Sequence, residues 1–345
     1  MSEKKKIAFI TGITGMDGST LADMLLEKGY IVHGLLRRSA TFNTKNIDHI
    51  FNKLNLHHGD MTDTMGLFNI INNVKPDEIY NFAAMSHVKV SAAIENYTMQ
   101  TNAIGLLNLL QCVRQAGLEK TCRIYQANTS ETYGNKTDGR KLLNEDTPRT
   151  PVSIYGISKN CANDICNMYR EAYGMFIVSA TVFNHENARR GYTFVTQKIA
   201  RYVGKMDYNK PLELGNLNSL RDWSYTNDMM EGVYLMLQQE TPEDFVLASG
   251  ECHSVREFVE LAFEEVGIKI EWIGEGINEI GKNILTGEIL VRVNPKYYRD
   301  LELHALIGDY SKAKRILGWE PKTSFKELVS KMVKSALKDN EKNEF

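Results

Sequence analysis

Cysteine is scarce in this 345-residue chain: Cys112, Cys122, Cys161, Cys166 and Cys252 are scattered singly. They make no CxxC pair and no metal-ligand spacing, which excludes a zinc ribbon or a disulfide-stapled fold and implies a reducing compartment. No run of about 18 apolar residues occurs, which argues against a membrane span. Charge of one sign is missing too. A formal net charge of -2 leaves no electrostatic footprint for nucleic acid, although basic residues can still gather locally around phosphates. Residues Met1 to Lys6 are polar and lack the pattern of a signal peptide, so a soluble, cytoplasmic chain is expected. Internal repeats and Pro/Gly/Ser-rich linkers are absent, and no clean domain boundary is marked.

What the chain does hold is hydrophobic residues, 43% of the total, enough for one large α/β domain or a nucleotide domain with a smaller partner. Short apolar runs alternate with amphipathic stretches: strands at 6–11, 31–36, 56–58, 78–83, 123–128 and 176–183, helices at 19–28, 65–73, 98–116 and 155–173. Such strand–helix alternation predicts a Rossmann-type, doubly wound parallel sheet. After about Asn184 the alternation loosens. Residues 1–183 are therefore expected to form the dinucleotide-binding domain, with later pieces such as 228–240 packing back on it. Residues 184–337 are expected to form mainly a smaller mixed α/β substrate-binding portion, and 338–345 a charged tail.

Between the first strand and helix stands Thr11-Gly12-Ile13-Thr14-Gly15-Met16-Asp17-Gly18. Gly12, Gly15 and Gly18 let the backbone turn sharply and approach a pyrophosphate; with Met16 and Asp17 in the same loop, the N-terminus of the helix that follows offers free N–H groups and a favourable dipole. The second strand ends not in an acidic residue but in Arg37-Arg38-Ser39. Arg37 and Ser39 suit an adenosine 2′-phosphate, which favours NADP, because guanidinium forks match phosphate oxygens. One arginine, Arg38 in particular, is equally readable as surface or interface charge. Asp60 and Met61 follow the third strand and either border the adenine or, for Asp60, cap the next turn.

The chemistry is carried by Thr129-Ser130-Glu131 at the end of a strand and by Tyr155-Gly156-Ile157-Ser158-Lys159 at the start of a helix. Tyr155 and Lys159 are four apart and share a helix face. A lysine held there favours the phenolate, since a nearby positive charge stabilises the charged form. Glu131 adds a carboxylate base, which a plain oxidation does not need and an elimination does. Each of these residues also has a plain structural reading, as a cap, a solvated face or a core side chain; it is their combination after a glycine loop that points to a redox site.

The combination resembles the extended short-chain dehydrogenase/reductases, and within them the GDP-mannose 4,6-dehydratase family. The resemblance spans about residues 6 to 335. It includes Leu36-Arg37-Arg38-Ser39, Ala84-Met85-Ser86-His87-Val88, Phe183-Asn184-His185-Glu186, Arg189-Arg190-Gly191, Ser219-Leu220-Arg221-Asp222-Trp223 and Pro295-Lys296-Tyr297-Tyr298-Arg299. It implies an internal redox cycle on a GDP-sugar, in which Tyr155, with Lys159, takes the carbon 4 hydroxyl proton as hydride passes to NADP. Thr129 then holds the carbon 4 oxygen, Glu131 removes the carbon 5 proton and helps water leave from carbon 6, and hydride returns to carbon 6. By the same resemblance His185 belongs to the cofactor side, while Ser86, Ser130, Asn184, Val195, Lys198, Arg221, Arg299 and Glu302 belong to the substrate side. It implies no metal, no nucleic acid, no membrane, and a homotetramer built as a dimer of dimers through residues 38–43.

Departures from the family pattern are Met16 in place of glutamine, Thr132 in place of leucine, Ile154 in place of proline and Asn187-Ala188 in place of Ser-Pro. None removes a catalytic group, but Thr132 and Asn187-Ala188 leave a related GDP-sugar, such as GDP-manno-heptose, open as substrate. Two further readings stand beside the dehydratase: a nucleotide-sugar 4-epimerase, which shares Tyr155 and Lys159 but has no use for Glu131, and a noncatalytic NADP-binding sensor.

Overall fold

Ile7–Thr11 is almost wholly buried, as the central strand of a sheet covered on both faces must be. The computed structural model describes residues 4–41, 43–135, 142–298 and 306–342. Its strands are β1 (Ile7–Thr11), β2 (Ile31–Leu36), β3 (Asn55–His58), β4 (Glu78–Asn81), β5 (Arg123–Thr129), β6 (Ile177–Val182), β7 (Asn184–Glu186), β8 (Leu212–Leu214), β9 (Leu220–Arg221), β10 (Trp223–Tyr225), β11 (Phe245–Leu247), β12 (His253–Ser254), β13 (Ile270–Ile273), β14 (Ile280–Asn283) and β15 (Ile289–Val293). Its α-helices are α1 (Met16–Glu27), α2 (Thr64–Val74), α3 (Val88–Ser91), α4 (Glu95–Met99), α5 (Gly105–Gln115), α6 (Ile154–Tyr173), α7 (Val195–Lys205), α8 (Thr226–Met236), α9 (Val255–Glu264), α10 (Ser311–Leu317) and α11 (Phe325–Glu341).

Two units emerge, the first made of Met1–Phe183, Thr226–Leu247 and Gly308–Glu320. Its seven strands pair in the order β11-β6-β5-β4-β1-β2-β3. Every pairing is parallel. Strand order reverses between β1 and β4, and that crevice is where such sheets bind their ligands. Side chains alternate between the two faces, as strand geometry requires. Ala8, Ile10, Tyr80, Tyr125 and Val178 pack under α1, α8 and α10. Their neighbours Phe9, Ile79, Ile124 and Ile177 pack under α2, α5 and α6.

Helix starts follow local chemistry. Asp63 caps α2 by accepting from Gly66 N, and Ser153 caps α6 by accepting from Gly156 N at 3.0 Å. The first helix begins at Met16 rather than at 19, because Gly15 is already extended and the chain turns directly after it. The helix expected over 98–116 is interrupted: between α4 and α5, Gln100–Ile104 winds as a π-helix. The seventh strand, β11, has only three residues and was not expected; α8, within the segment foreseen to pack back, precedes it.

The second unit comprises Asn184–Tyr225, Ala248–Ile307 and Pro321–Phe345. It holds a four-stranded sheet, β13-β14-β15-β8, and two small pairings, β7 with β10 and β9 with β12. Helices α7, α9 and α11 share one apolar core with it, centred on Phe258, Val259, Val291 and Val329. Capping boxes start two of those helices: Ser254 with Glu257, and Ser324 with Glu327. Among the described residues no helix is long and apolar enough to cross a membrane, and no group of three metal-ligating side chains occurs.

Candidate active site

The glycine loop leaves β1 at Thr11 and turns through Gly12, whose φ of +69° lies in the left-handed region. A Cβ on Gly12 would stand 2.9 Å from the backbone nitrogen of Ala83, so only glycine lets the loop lie against the end of β4. Gly15 N donates back to Gly12 O at 2.9 Å, and α1 follows with no side chain capping its first turn. The first-turn N–H groups of a helix have no intrahelical acceptor, and with the dipole they form an anion-binding end. That donor set fits a dinucleotide pyrophosphate. Met16 itself is buried, with its sulfur accepting from Thr226 Oγ1 at 3.4 Å, so it offers the loop its backbone and not its side chain.

Arg37, Arg38 and Ser39 follow β2 and are exposed. Arg37 donates to the Tyr97 hydroxyl, and Ser39 pairs with Thr41 at 3.4 Å. After β3, Asp60 accepts from the backbone and hydroxyl of Thr62 at 2.9 and 2.8 Å, closing the turn. Met61 is buried, and its carbonyl accepts from Asn108 at 3.0 Å.

Thr129 ends β5 and starts the short 3-10 turn Ser130–Thr132. Its hydroxyl oxygen accepts from Glu131 N at 3.3 Å, which leaves the hydroxyl proton for another acceptor. Thr132 ties the turn down through its own hydroxyl, donating to Thr129 O at 2.8 Å. Thr129 and Ser130 are buried while Glu131 is half-buried, so the carboxylate stands at the rim of the strand end.

Helix α6 then brings Tyr155 and Lys159 to this turn. Contact is made at Gly156, where a Cβ would lie 2.8 Å from Glu131 O and 3.0 Å from the Pro151 side chain. The residue after Tyr155 thus touches the backbone of Glu131. Lys159, one turn further on, is buried and donates to Ala127 O at 2.8 Å. Burial pushes the lysine down to about 8, opposed by the negative charge of Asp17 in the glycine loop.

One residue that sequence reasoning missed is Asn102, in the π turn between α4 and α5. Its amide accepts from Met85 N at 2.8 Å and donates to Met85 O at 3.2 Å and to Ser158 Oγ at 3.0 Å. Ser158 in turn donates to Tyr155 O at 2.7 Å. Asn102 therefore joins the segment carrying the exposed Ser86 to the helix carrying Tyr155. The sequence carries no signal for it, since a π turn has no signature and its partners Met85 and Ser158 are distant along the chain.

Other predicted residues stand in the second unit. Asn184 and the buried His185 open β7, where His185 is in register with Ser224. Val195 is the first residue of α7. On the same helix Lys198 donates to Glu213 O, lies 4.5 Å above the Tyr297 ring, and has its pKa lowered by partial burial. Arg221 donates to Leu220 O at 2.7 Å. Arg256 is held bidentately by Glu279 at 2.5 and 3.0 Å. Arg299 and Glu302 lie outside the described residues.

A family model described as GDP-mannose 4,6 dehydratase matches residues 9–332. A GDP-mannose 4,6 dehydratase of Drosophila melanogaster is 49% identical over 351 residues, covering 99% of this chain and 88% of that protein. The GDP-mannose 4,6 dehydratase of Homo sapiens is 48% identical over 344 residues, covering 96% of this chain and 92% of that protein. Among solved structures, a UDP-glucose 4-epimerase from Thermus thermophilus in complex with NAD superimposes with a TM-score of 0.80 at 25% identity, covering 96% of this chain and 98% of that one.

Proposed function

From the premise that the chain belongs to the GDP-mannose 4,6-dehydratase family, we propose that it converts GDP-mannose to GDP-4-keto-6-deoxymannose with NADP as its cofactor. The observation that carries the reading is the contact at Gly156, which sets the Glu131 turn beside the start of the helix bearing Tyr155 and Lys159. A proton acceptor for a hydroxyl and a second base for a carbon acid are the two groups that dehydration through a ketone needs.

A nicotinamide dinucleotide, when bound, would supply the hydride acceptor for carbon 4 and the hydride source for carbon 6. The glycine loop, with Gly12, Gly15, Met16, Asp17 and Gly18, would hold its pyrophosphate at the start of α1. Arg37 and Ser39 support NADP over NAD, being an exposed cation and hydroxyl where an acidic residue would repel a 2′-phosphate. Asp60 and Met61 flank the adenine end, and His185 serves the cofactor side.

On the sugar, Tyr155 takes the carbon 4 hydroxyl proton, and the ammonium of Lys159 stabilises the negative charge on its oxygen. Thr129 donates its hydroxyl proton to the carbon 4 oxygen. The ketone so formed acidifies the proton on carbon 5. Glu131 removes that proton and delivers one to the departing carbon 6 hydroxyl, so water leaves and a carbon 5–carbon 6 double bond forms. Hydride at carbon 6 and a proton at carbon 5, made up by the one that Tyr155 holds and gives back, would complete the product and leave both residues as they began. In this reading Ser86 and Ser130 of the first unit, and Asn184 and Val195 of the second, are assigned to the sugar and phosphates, and Lys198 and Arg221 would supply positive charge for the diphosphate. Residues 38–43 would serve a dimer of dimers.

Product analysis tests the reading against epimerisation. A 4-keto-6-deoxy sugar develops absorbance in alkali, as the dehydratase reading requires; recovery of a 4-epimer without it would move the chain to the epimerases and leave Glu131 without its role.

A further inference from the structure

Three residues directly opposite one another on neighbouring strands carry buried polar side chains: Thr11 on β1, Asn81 on β4 and Gln126 on β5. Their exposures are 0%, 2% and 1%. By strand alternation they point to the face that α6 covers, the side of Phe9, Ile79 and Ile124. They are hydrogen-bonded in a row. Ala83 N donates to Thr11 Oγ1 at 3.1 Å, and the Thr11 hydroxyl donates to Asn81 Oδ1. Asn81 Nδ2 donates to Gln126 Oε1 at 2.6 Å, and Gln126 Nε2 donates to Ala127 O at 2.7 Å. That same carbonyl accepts from Lys159 Nζ at 2.8 Å.

The direction of the row is forced. A carbonyl can only accept, so Ala127 O takes Gln126 Nε2, and that sets Gln126 Oε1 against Asn81 Nδ2 and Asn81 Oδ1 against the Thr11 hydroxyl. Turning Gln126 over would set an amide oxygen against the Ala127 carbonyl. With Gln126 and Lys159 both donating to it, Ala127 O has its two lone pairs occupied. Lys159 therefore spends one N–H on the carbonyl and has two more to give.

We propose that Thr11, Asn81 and Gln126 are positioning residues for the reaction: they fix the Ala127 carbonyl and, through it, the Lys159 ammonium, in register with the glycine loop that begins one residue after Thr11. Stability alone does not call for the row, since exchanging both members of a buried hydrogen-bonded pair for apolar groups of similar shape is close to neutral. Asp17 from α1 and Cys166 from α6 act on the same lysine. Those two, with Tyr155, are the titratable groups that a displaced ammonium would move against.

The inference rests on the proposed role of Lys159, and the experiment separates the two. Turnover of GDP-mannose with NADP is measured for Gln126→Leu, the isosteric Gln126→Glu, the double variant Asn81→Leu/Gln126→Leu, and Lys159→Met, each alongside its thermal midpoint. Gln126→Leu is expected to lower kcat on the order of ten-fold with KM changed less than about two-fold, as a misplaced catalytic group does. Its acid limb of kcat is expected to move to higher pH, because the ammonium is drawn further onto Ala127 O. The double variant, which leaves no amide unpaired, is expected to regain the midpoint lost by the single variant while kcat stays low. Gln126→Glu, which keeps the shape but loses the donor, is expected to be slow as well. Recovery of kcat together with the midpoint in the double variant, or wild-type kcat in folded Gln126→Glu, overturns the proposal. Wild-type turnover in Lys159→Met would instead overturn the role of the lysine.

Discussion

The carbonyl oxygen of Glu131 occupies the space that a side chain at Gly156 would need, 2.8 Å from where its Cβ would be. The residue between Tyr155 and the rest of α6 is thereby the point at which the two halves of the proposed chemistry meet.

Gly156→Ala tests that contact. Alanine favours a helix by about 1 kcal/mol over glycine, so α6 is expected to form and the protein to fold. The methyl group must push the Glu131 turn away, and a shift of this size is expected to lower kcat by about two orders of magnitude. Steady-state kinetics with circular dichroism check it; a folded variant with wild-type kcat would show that the turn can move without consequence.

Cofactor choice is tested at the end of β2. Removing the cation and hydroxyl together, as Arg37→Ala/Ser39→Ala, is expected to weaken NADP binding by about ten- to a hundred-fold, the scale of a lost charge-assisted contact. NAD binding should be almost unaffected. Titration of both dinucleotides by calorimetry decides the matter, and equal losses for the two would remove these residues from 2′-phosphate recognition.

The parallel sheet was legible because β1, β4 and β6 are nearly continuous buried runs and amphipathic helices alternate with the strands. Strand β11 was not, since three apolar residues after a long excursion carry no period to read. Gly12, Gly15 and Gly18 were visible from spacing, as was the Tyr155–Lys159 pair from helical geometry. Asn102 was hidden by its helix: a π turn has no sequence signature, and what the amide does depends on Met85 and Ser158, both distant along the chain. The same holds for Gln126, whose partner Asn81 comes from a strand that only the fold places beside it.

Asn102→Ala removes the amide that serves both backbone groups of Met85. Stability is expected to fall by about 2 kcal/mol, the cost of leaving buried polar groups unpaired. KM for the GDP-sugar should rise more than kcat falls, because Ser86 follows Met85 directly. Denaturant unfolding and kinetics on the same preparation would reveal it, and an unchanged unfolding midpoint would argue that the π turn is held by its backbone alone.

Lys159 gives stability a pH dependence of defined sign. Burial lowers its folded-state value from 10.5 to about 8. Between those values the unfolded chain binds the extra proton, so unfolding free energy contributed by this group rises with pH. Below about 8 the charge is buried at full cost, on the order of 3 kcal/mol. The stability of the wild type relative to Lys159→Met is therefore expected to increase from pH 8 to 10.5 in denaturant titrations. A flat difference across that window would mean that the ammonium is not desolvated by the fold.

The central claim is an internal elimination, and mass spectrometry of GDP-mannose incubated with the protein and catalytic NADP tests it most directly. The account predicts a product lighter by roughly 18 mass units, the mass of one water, with no net reduction of the cofactor. Accumulation of NADPH in step with an oxidised sugar of unchanged water content, or a product of unaltered mass, would contradict it.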